Sequence, residues 1–234
     1  MRAQVTKKPP LLFLHGWGGS KDSFLFLTDQ FTDRDLWFIS FAGHGNSPPP
    51  EKPMSVTDFA NEVFGFVEQN NIHRPDVVAH SFGGRIALVL FATNPEKFGR
   101  LLITGGAGLK PKRKIKTRLK IAKFKLDKWL VKLKLKDKNC LVGRGSADYN
   151  KLSPIMRETF KKVVNENLAC YAKKVQAETL LVWGQNDTET PLFMGKKMNR
   201  YIKNSVLVVF NGKSHFCFYE EPLRFALVLK NFFV

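Results

Sequence analysis

Apolar residues along this chain gather in short runs that are hydrophobic at nearly every position. A strand with one face in solvent would alternate apolar and polar residues, so these runs are typical of strands buried on both faces of a parallel sheet. The runs span residues 11–14, 36–41, 77–79, 101–104, 180–183 and 206–210. The pattern therefore predicts a sheet of about six buried strands.

Helix-like stretches separate most of these runs. The clearest begins at Ser55, where Asp58 three residues later forms an approximate capping box, and it continues to about residue 70. One face of this stretch carries Val56, Phe59, Ala60, Val63, Phe64 and Val67. Further helices are predicted over residues 83–93, 192–202 and 222–232. Strands that alternate with helices predict an α/β fold with a mostly parallel sheet.

A long segment interrupts this alternation. About 75 residues without a strand signal separate the strands that end near Thr104 and begin near Leu180, which is too long for an ordinary connection. Within it, spacings of four and three place a set of apolar residues on one helical face. They are Ile115, Leu119, Ala122, Leu126, Trp129 and Leu133. With a second helix over 153–165, the pattern predicts a helical cap of residues 107–176, inserted into a core of residues 1–106 and 177–234.

The positive charge of the chain is concentrated in this predicted cap. Of a net charge of +18, residues 110–138 contribute fourteen Lys and Arg against two Asp, a local excess of +12. A lysine-rich helix with an apolar stripe that includes Trp129 can lie on an anionic lipid surface. Alternatively, the stripe packs over the active site and the lysines are solvated. Aromatic residues are not interleaved with the lysines, so nucleic acid is not an expected partner.

The lengths of the apolar runs and the spacing of the cysteines bear on where in the cell the protein is expected. The basic residues near the N-terminus precede only four apolar residues, 11–14, which are too few for a signal-peptide core, and no run approaches the length of a membrane span. We therefore expect a cytoplasmic protein. The three cysteines, Cys140, Cys170 and Cys217, are widely spaced and lack metal-ligand spacing, so neither a disulfide framework nor a metal site is expected. The oligomeric state does not follow from the sequence.

The strongest chemical signal is the segment A-H-S-F-G-G at residues 79–84, between a predicted strand and a predicted apolar helix. A nucleophile on so tight a turn requires small residues two positions before and after it, and Ala79 and Gly83 satisfy that requirement. The helix N-terminus favours negative charge that develops nearby. Ser81 is therefore the candidate nucleophile, although a serine at this place also occurs in ordinary strand-to-helix turns.

A glycine-rich loop, H-G-W-G-G at residues 15–19, follows the first predicted strand. Such a loop lets the backbone approach a substrate oxygen, so Gly16 is a candidate substrate-binding residue. The backbone N–H groups of Trp17 and Phe82 could together form an oxyanion hole. A phosphate-binding loop is the alternative, but the G-x-G-x-x-G order is absent.

Two later loops carry the remaining candidates, each just past an apolar strand on the same sheet edge as Ser81. Asp187 and His215 occur in the order expected of a Ser-Asp-His triad. Taken alone, Asp187 could be a helix cap before Pro191, Glu189 is a rival acid, and His215 could be a solvated loop histidine. Complementary roles from several loops on one edge favour a catalytic site.

Together these motifs resemble the α/β-hydrolase superfamily. The resemblance rests on H-G-W-G-G at 15–19, G-H-G-N-S at 43–47, H-S-F-G-G-R at 80–85, W-G-x-x-D-x-x-x-P at 183–191 and S-H-F at 214–216. It covers everything except the insertion. It implies a triad of Ser81, Asp187 and His215, an oxyanion hole from the amides of Trp17 and Phe82, and a helical cap after the sixth family strand. The usual Asp-Leu-Pro before Gly-His-Gly is Ser-Phe-Ala here, and the two leading strands are missing, which predicts a shortened sheet.

The expected activity is hydrolysis of a small carboxylic ester through an acyl-enzyme on Ser81, without metal or cofactor. Ser81, where other family members have aspartate, argues against dehalogenase and epoxide hydrolase chemistry. The H-S-F-G-G-R motif is also similar to menaquinone-pathway enzymes, so carbon–carbon bond cleavage of an anionic substrate is an alternative. In that case Arg85 and basic residues of the cap would bind the anion. Trp129, on the apolar stripe of the cap, is a further candidate for substrate binding.

Overall fold

The computed structural model describes residues 8–109 and 152–234, together with the single positions 127, 129, 131 and 133. Most of the predicted cap therefore lies outside the described residues. Of the helix expected from the apolar stripe, positions 127, 129 and 131 are described and are helical. The division into core and cap stays a prediction, as does the interaction of the basic segment with anionic lipid. Over residues 8–109 and 152–234, no helix combines the length and the apolar character that a bilayer crossing requires.

The described residues form an all-parallel sheet of six strands in the spatial order β2-β1-β3-β4-β5-β6. The strands are β1 Leu11–Leu14, β2 Leu36–Ile39, β3 Asp76–His80, β4 Leu101–Thr104, β5 Thr179–Gly184 and β6 Ser205–Phe210. This confirms the predicted α/β class and the shortened sheet. The four inner strands are buried throughout, and the two edge strands are half-buried.

Strand β2 ends two residues earlier than its apolar run predicts. The N–H of Phe41 donates to Nε2 of His15 (3.2 Å) instead of joining the ladder of the sheet. The side chain of Phe41 is nevertheless buried, so the apolar run continues into a loop that packs against the core. The apolar run of residues 36–41 is therefore longer than the strand, Leu36–Ile39, that forms within it.

Over residues 8–109 and 152–234, seven α-helices and two 3₁₀ helices accompany the strands. The α-helices are α1 Val56–Gln69, α2 Phe82–Thr93, α3 Pro154–Asn165, α4 Ala169–Ala172, α5 Leu192–Tyr201, α6 Cys217–Glu220 and α7 Pro222–Phe232. The 3₁₀ helices are Lys21–Gln30 and Pro95–Lys97. The predicted capping box of α1 is present, because Ser55 Oγ accepts from Asp58 N and Asp58 Oδ2 accepts from Ser55 N. The 3₁₀ helix Lys21–Gln30 was not predicted, since it buries only Phe24 and Leu27.

The core has two layers, one on each face of the sheet. Along β1, Leu12 and Leu14 belong to one hydrophobic cluster, whereas Leu11 and Phe13 belong to the other. Successive side chains of a strand point to opposite faces, so both layers require apolar residues at every position. Helices α1 and α2 contribute buried side chains to the first layer, and α7 contributes to the second. This explains why the strands read as continuous apolar runs.

Helix α3, the longer of the two helices described within residues 152–176 of the predicted cap, is hydrogen-bonded to the segment that leads into α1. Thr159 Oγ1 accepts a hydrogen bond from Met54 N (3.1 Å), and Lys162 Nζ donates to Pro53 O (2.8 Å). Just after α3, Glu166 Oε2 accepts from Val56 N (3.0 Å) at the start of α1. These bonds cross between distant parts of the chain and place α3 over the core.

Candidate active site

Ser81 occupies a strained backbone position between β3 and α2, with φ +49° and ψ −104°. A residue with a Cβ adopts a positive φ at an energetic cost, and such strain persists only where the surroundings impose it. Here the N–H of Ser81 donates to Thr104 O, and its carbonyl oxygen accepts from Gly84 N and Ala107 N, all at 3.1 Å. The turn predicted from the small residues around Ser81 is thus held by β4 and the loop that follows it.

Gly83 is the residue that lets α2 pack this closely under the glycine-rich loop. A Cβ at Gly83 would lie 2.2 Å from the carbonyl oxygen of Leu14, which is a backbone atom of β1 and has little freedom to move. The N–H of Gly83 donates to His15 O (3.0 Å). Gly16 is also closely packed, because a Cβ there would lie 2.7 Å from Nδ1 of His80 and 3.4 Å from Cβ of Ser81.

We therefore expect Gly83→Ala to destabilise the fold by about 2 kcal/mol or more, because the methyl group overpacks against a strand. The matched control is Gly65→Ala in α1, where a Cβ would meet nothing within 4 Å. That substitution is expected to stabilise the protein by about 0.5–1 kcal/mol through helix propensity. Chemical denaturation of both variants measures the difference. Equal effects of the two substitutions would contradict the packing argument.

The loops after β5 and β6 bring Asp187 and His215 together. His215 Nδ1 lies 2.8 Å from Asp187 Oδ2, and both side chains are buried. A carboxylate oxygen at this position accepts, so Nδ1 carries the proton and donates. Nε2 is therefore the basic nitrogen, and it is buried without a hydrogen bond to any described residue. The Asp187 side chain also holds the conformation of its loop, because Asp187 Oδ1 accepts hydrogen bonds from the N–H groups of Glu189 (2.9 Å) and Thr190 (2.8 Å).

Thr190 also takes part in this cluster, although no motif in the sequence pointed to it. Its Oγ1 lies 2.8 Å from Asp187 Oδ2, 2.9 Å from Gly105 O and 3.2 Å from His215 Nδ1. The hydroxyl carries one proton, so it donates to one of the two oxygens at a time and can accept from the imidazole. The available signal was an aspartate in a loop: in an Asx turn its side chain accepts from the N–H two residues on, here that of Glu189, which brings the following residue, Thr190, close to the carboxylate.

Glu189, the rival acid of the sequence analysis, also contacts the imidazole, at its other nitrogen. Its Oε2 lies 3.5 Å from His215 Nε2, and its side chain is 61% exposed. Asp187, by contrast, is buried and already accepts several hydrogen bonds. The tertiary structure therefore distinguishes the acids by position, with Asp187 at Nδ1 and Glu189 at Nε2.

Ser81 and His215 face a cavity of about 890 Å³. Its described lining is mostly apolar and includes Gly16, Trp17, Phe82, Leu109, Phe160, Val163, Met194, Phe216 and Phe218, with Arg85, Glu189, Thr190 and Tyr219 among the polar residues. Among the described residues, none accepts a hydrogen bond from the backbone N–H of Trp17 or Phe82. Two backbone donors at the cavity wall beside Ser81 are thus available to a ligand.

Three buried histidines surround the site and brace its loops. His15 donates from Nδ1 to Gly16 O (2.7 Å) while its Nε2 accepts from Phe41 N, and His44 donates from Nδ1 to Ala42 O (3.0 Å). Burial lowers the pKa of His15 to about 4 and also lowers the pKa of His44. Burial, and next the charge of His215, hold the pKa of His80 well below its usual range, with its ring 4.7 Å from that of His215.

The lowered pKa of His15 predicts acid sensitivity of the fold. Because His15 is neutral when folded and titrates near 6.5 when unfolded, the unfolded state binds more protons between pH 6.5 and about 4, so stability falls as pH falls. From pH 7 to pH 5 this residue is expected to remove about 2 kcal/mol. His15→Gln should lose that share of the pH dependence. His73→Gln, at an exposed position, should retain it, and the free energy of unfolding at both pH values is the measurement.

Comparison with known protein families agrees with this geometry. Residues 9–169 match the family model described as alpha/beta hydrolase fold, and residues 160–222 match one described as TAP-like protein. The chain belongs to the α/β-hydrolase superfamily.

Similar proteins of the superfamily include esterases. The chain is 25% identical to pimeloyl-[acyl-carrier protein] methyl ester esterase of Neisseria meningitidis, with 94% of this chain and 91% of that protein covered. The esterase EaEST from Exiguobacterium antarcticum has the same fold, with a TM-score of 0.76, 19% identity and coverage of 96% and 91%. A shorter match, 33% identical, covers 43% of this chain and 38% of Abhydrolase domain-containing protein C22H12.03 of Schizosaccharomyces pombe.

The predicted substrate-binding residues lie in different places in this α/β-hydrolase. Gly16 lies beside Ser81 at the cavity wall. Arg85 also lines the cavity, but its Nη1 donates to Val163 O (2.7 Å) and Glu166 O (3.2 Å), so it anchors the end of α3. Burial lowers its pKa to about 10, which leaves the guanidinium charged at neutral pH. Trp129 is 56% exposed and lies outside the described lining of the cavity.

Proposed function

We propose that this α/β-hydrolase cleaves carboxylic esters, with Ser81 as nucleophile, His215 as general base and Asp187 as the residue that orients the base. The observation that carries the proposal is the imidazole of His215, whose Nδ1 is bound by Asp187 and whose buried Nε2 is left without a hydrogen bond beside the cavity that Ser81 lines. A base held in this tautomer can accept a proton only at Nε2. Nothing in this arrangement requires a metal or an organic cofactor.

In the proposed reaction, Nε2 of His215 takes the Ser81 hydroxyl proton while Oγ attacks the ester carbonyl carbon. The carbonyl π electrons move to the oxygen, and the N–H groups of Trp17 and Phe82 stabilise the resulting oxyanion. Collapse of this intermediate expels the alkoxide, which takes the proton from Nε2. Water then attacks the acyl-enzyme in the same way and releases the acid and the serine hydroxyl.

Two further observations support serine chemistry on a neutral ester. Burial raises the pKa of the nearby Cys217 thiol to about 11, so this thiol is protonated at neutral pH and is a poor nucleophile. In the carbon–carbon cleavage alternative, Arg85 would bind the anionic substrate. Its Nη1, however, already donates hydrogen bonds to Val163 O and Glu166 O at the end of α3. The apolar lining instead favours an apolar acyl group.

The test is a series of p-nitrophenyl esters of increasing acyl length, assayed on the full chain, together with labelling by a fluorophosphonate. We expect turnover that varies with acyl length, and a single covalent adduct that peptide mass spectrometry locates at Ser81. Hydrolysis of no ester in the series would overturn the proposed activity. An adduct elsewhere would overturn the assignment of the nucleophile.

A further inference from the structure

Glu189 lies at the nitrogen of His215 through which the proposed reaction proceeds. Its Oε2 is 3.5 Å from Nε2, on the opposite side of the imidazole from Asp187. In the proposed mechanism Nε2 returns its proton to the departing alkoxide, so the alkoxide oxygen comes within about 3 Å of Nε2. The Glu189 carboxylate is therefore next to the alcohol portion of a bound ester.

The backbone of Glu189 is held by a hydrogen bond, while its side-chain carboxylate remains accessible to a ligand. The N–H of Glu189 donates to Asp187 Oδ1 (2.9 Å), which sets the position of the residue at the cavity wall. Its side chain is 61% exposed, and Glu189 is the one carboxylate in the described lining of the cavity. A carboxylate in such a place attracts a cation and repels an anion.

An aromatic ring in the cavity lining also lies next to His215. Phe216 lines the cavity, its ring centroid is 5.3 Å from that of His215, and its side chain is 43% exposed. The face of an aromatic ring attracts ammonium groups. A carboxylate and an exposed phenyl ring that both contact His215 are together suited to a positively charged alcohol.

We infer that Glu189 determines leaving-group specificity, favouring esters whose alcohol carries a quaternary or protonated amine over neutral or anionic alcohols. The inference rests on the proposed ester hydrolysis and adds the substrate class. Two unit charges about 6 Å apart at an effective dielectric constant of about 40 change a rate by about tenfold, which is the size of preference expected.

The experiment compares kcat/KM for butyrylcholine with kcat/KM for 3,3-dimethylbutyl butyrate, in which carbon replaces the charged nitrogen. Both esters form the same acyl-enzyme, so the ratio isolates the leaving group. We expect a ratio of about ten for the wild-type protein, a fall towards one in Glu189→Gln, and a smaller ratio at high ionic strength. The matched control is Glu96→Gln, which removes the same charge at an exposed position in the 3₁₀ helix Pro95–Lys97 and should keep the wild-type ratio.

The outcomes separate the inference from the proposed function. Turnover of both esters with a ratio near one, or a preference that survives Glu189→Gln, overturns the role of Glu189 and leaves ester hydrolysis standing. Failure of the wild-type protein to cleave either ester or p-nitrophenyl butyrate overturns ester hydrolysis, and the inference with it. A fall in the ratio for both the Glu189 and the Glu96 variants would show a general effect of net charge and would also overturn the inference.

Discussion

Replacing Ser81 with alanine is expected to lower kcat for a p-nitrophenyl ester by about 10⁵–10⁶-fold, because loss of the nucleophile removes the acyl-enzyme route. Alanine has the same Cβ as serine, so it adopts the positive φ at the same cost and should leave the fold intact. Steady-state turnover with titrated active protein, and thermal unfolding of the same sample, are the two measurements.

Two controls sharpen this prediction. Ser205→Ala, at the opposite end of β6 from the site, should retain turnover. Ser81→Gly should lose turnover as Ser81→Ala does, yet unfold at a higher temperature, because glycine relieves a strain of about 1 kcal/mol or more at φ +49°. Full activity of Ser81→Ala would exclude Ser81 as the nucleophile.

Asp187→Asn is expected to lower kcat by about 10⁴-fold while the protein remains folded. The amide can present an N–H group to His215 Nδ1, where the carboxylate accepts at 2.8 Å. The proton of the imidazole then moves to Nε2, and that nitrogen can no longer accept a proton from Ser81. The expected loss is therefore in kcat, with smaller effects on KM.

The matched control for this substitution is Asp29→Asn, which makes the same change at an exposed position of the 3₁₀ helix Lys21–Gln30. It should leave kcat unchanged. Full activity of Asp187→Asn, or a comparable loss in Asp29→Asn, would contradict the role proposed for Asp187. If Glu189 orients the base instead, Glu189→Gln should cause the larger loss, so measuring it beside Asp187→Asn separates the two acids.

The fold was predictable because its signals are local. Continuous apolar runs predicted every strand, and the six-stranded parallel sheet confirmed them, since an inner strand such as β1 is buried on both faces and tolerates no polar face. The capping box at Ser55 likewise predicted the beginning of α1 to within one residue, since Ser55 is the N-cap and the helix begins at Val56. The 3₁₀ helix Lys21–Gln30 also begins at a capping box, between Ser20 and Ser23, but it lacks the apolar periodicity of α1 because it buries only Phe24 and Leu27.

The residues of the candidate site were predictable from the sequence, whereas the contacts among them were less so. A parallel sheet brings the ends of all its strands to one edge, so the loops carrying Gly16, Ser81, Asp187 and His215 could be placed together from the sequence. The residues alone do not show which nitrogen of His215 each of the two acids, Asp187 and Glu189, contacts, because that depends on how the two loops pack against each other. The hydrogen bond of Thr190 to Gly105 and the anchoring of α3 by Arg85 depend equally on contacts between residues far apart in the chain.

The sequence by itself therefore determined the order of strands and helices along the chain. It also determined the tight turn that small residues allow at Ser81, and the set of residues at the carboxyl edge of the sheet. These follow from burial and backbone sterics, which act between neighbours along the chain. Only the tertiary structure decided which acid contacts Nδ1 of His215, which carboxylate lies beside Nε2, and that Arg85 binds the backbone at the end of α3. Such contacts join residues far apart in the chain, and their geometry is set by how the loops and helices around the carboxyl edge of the sheet pack together.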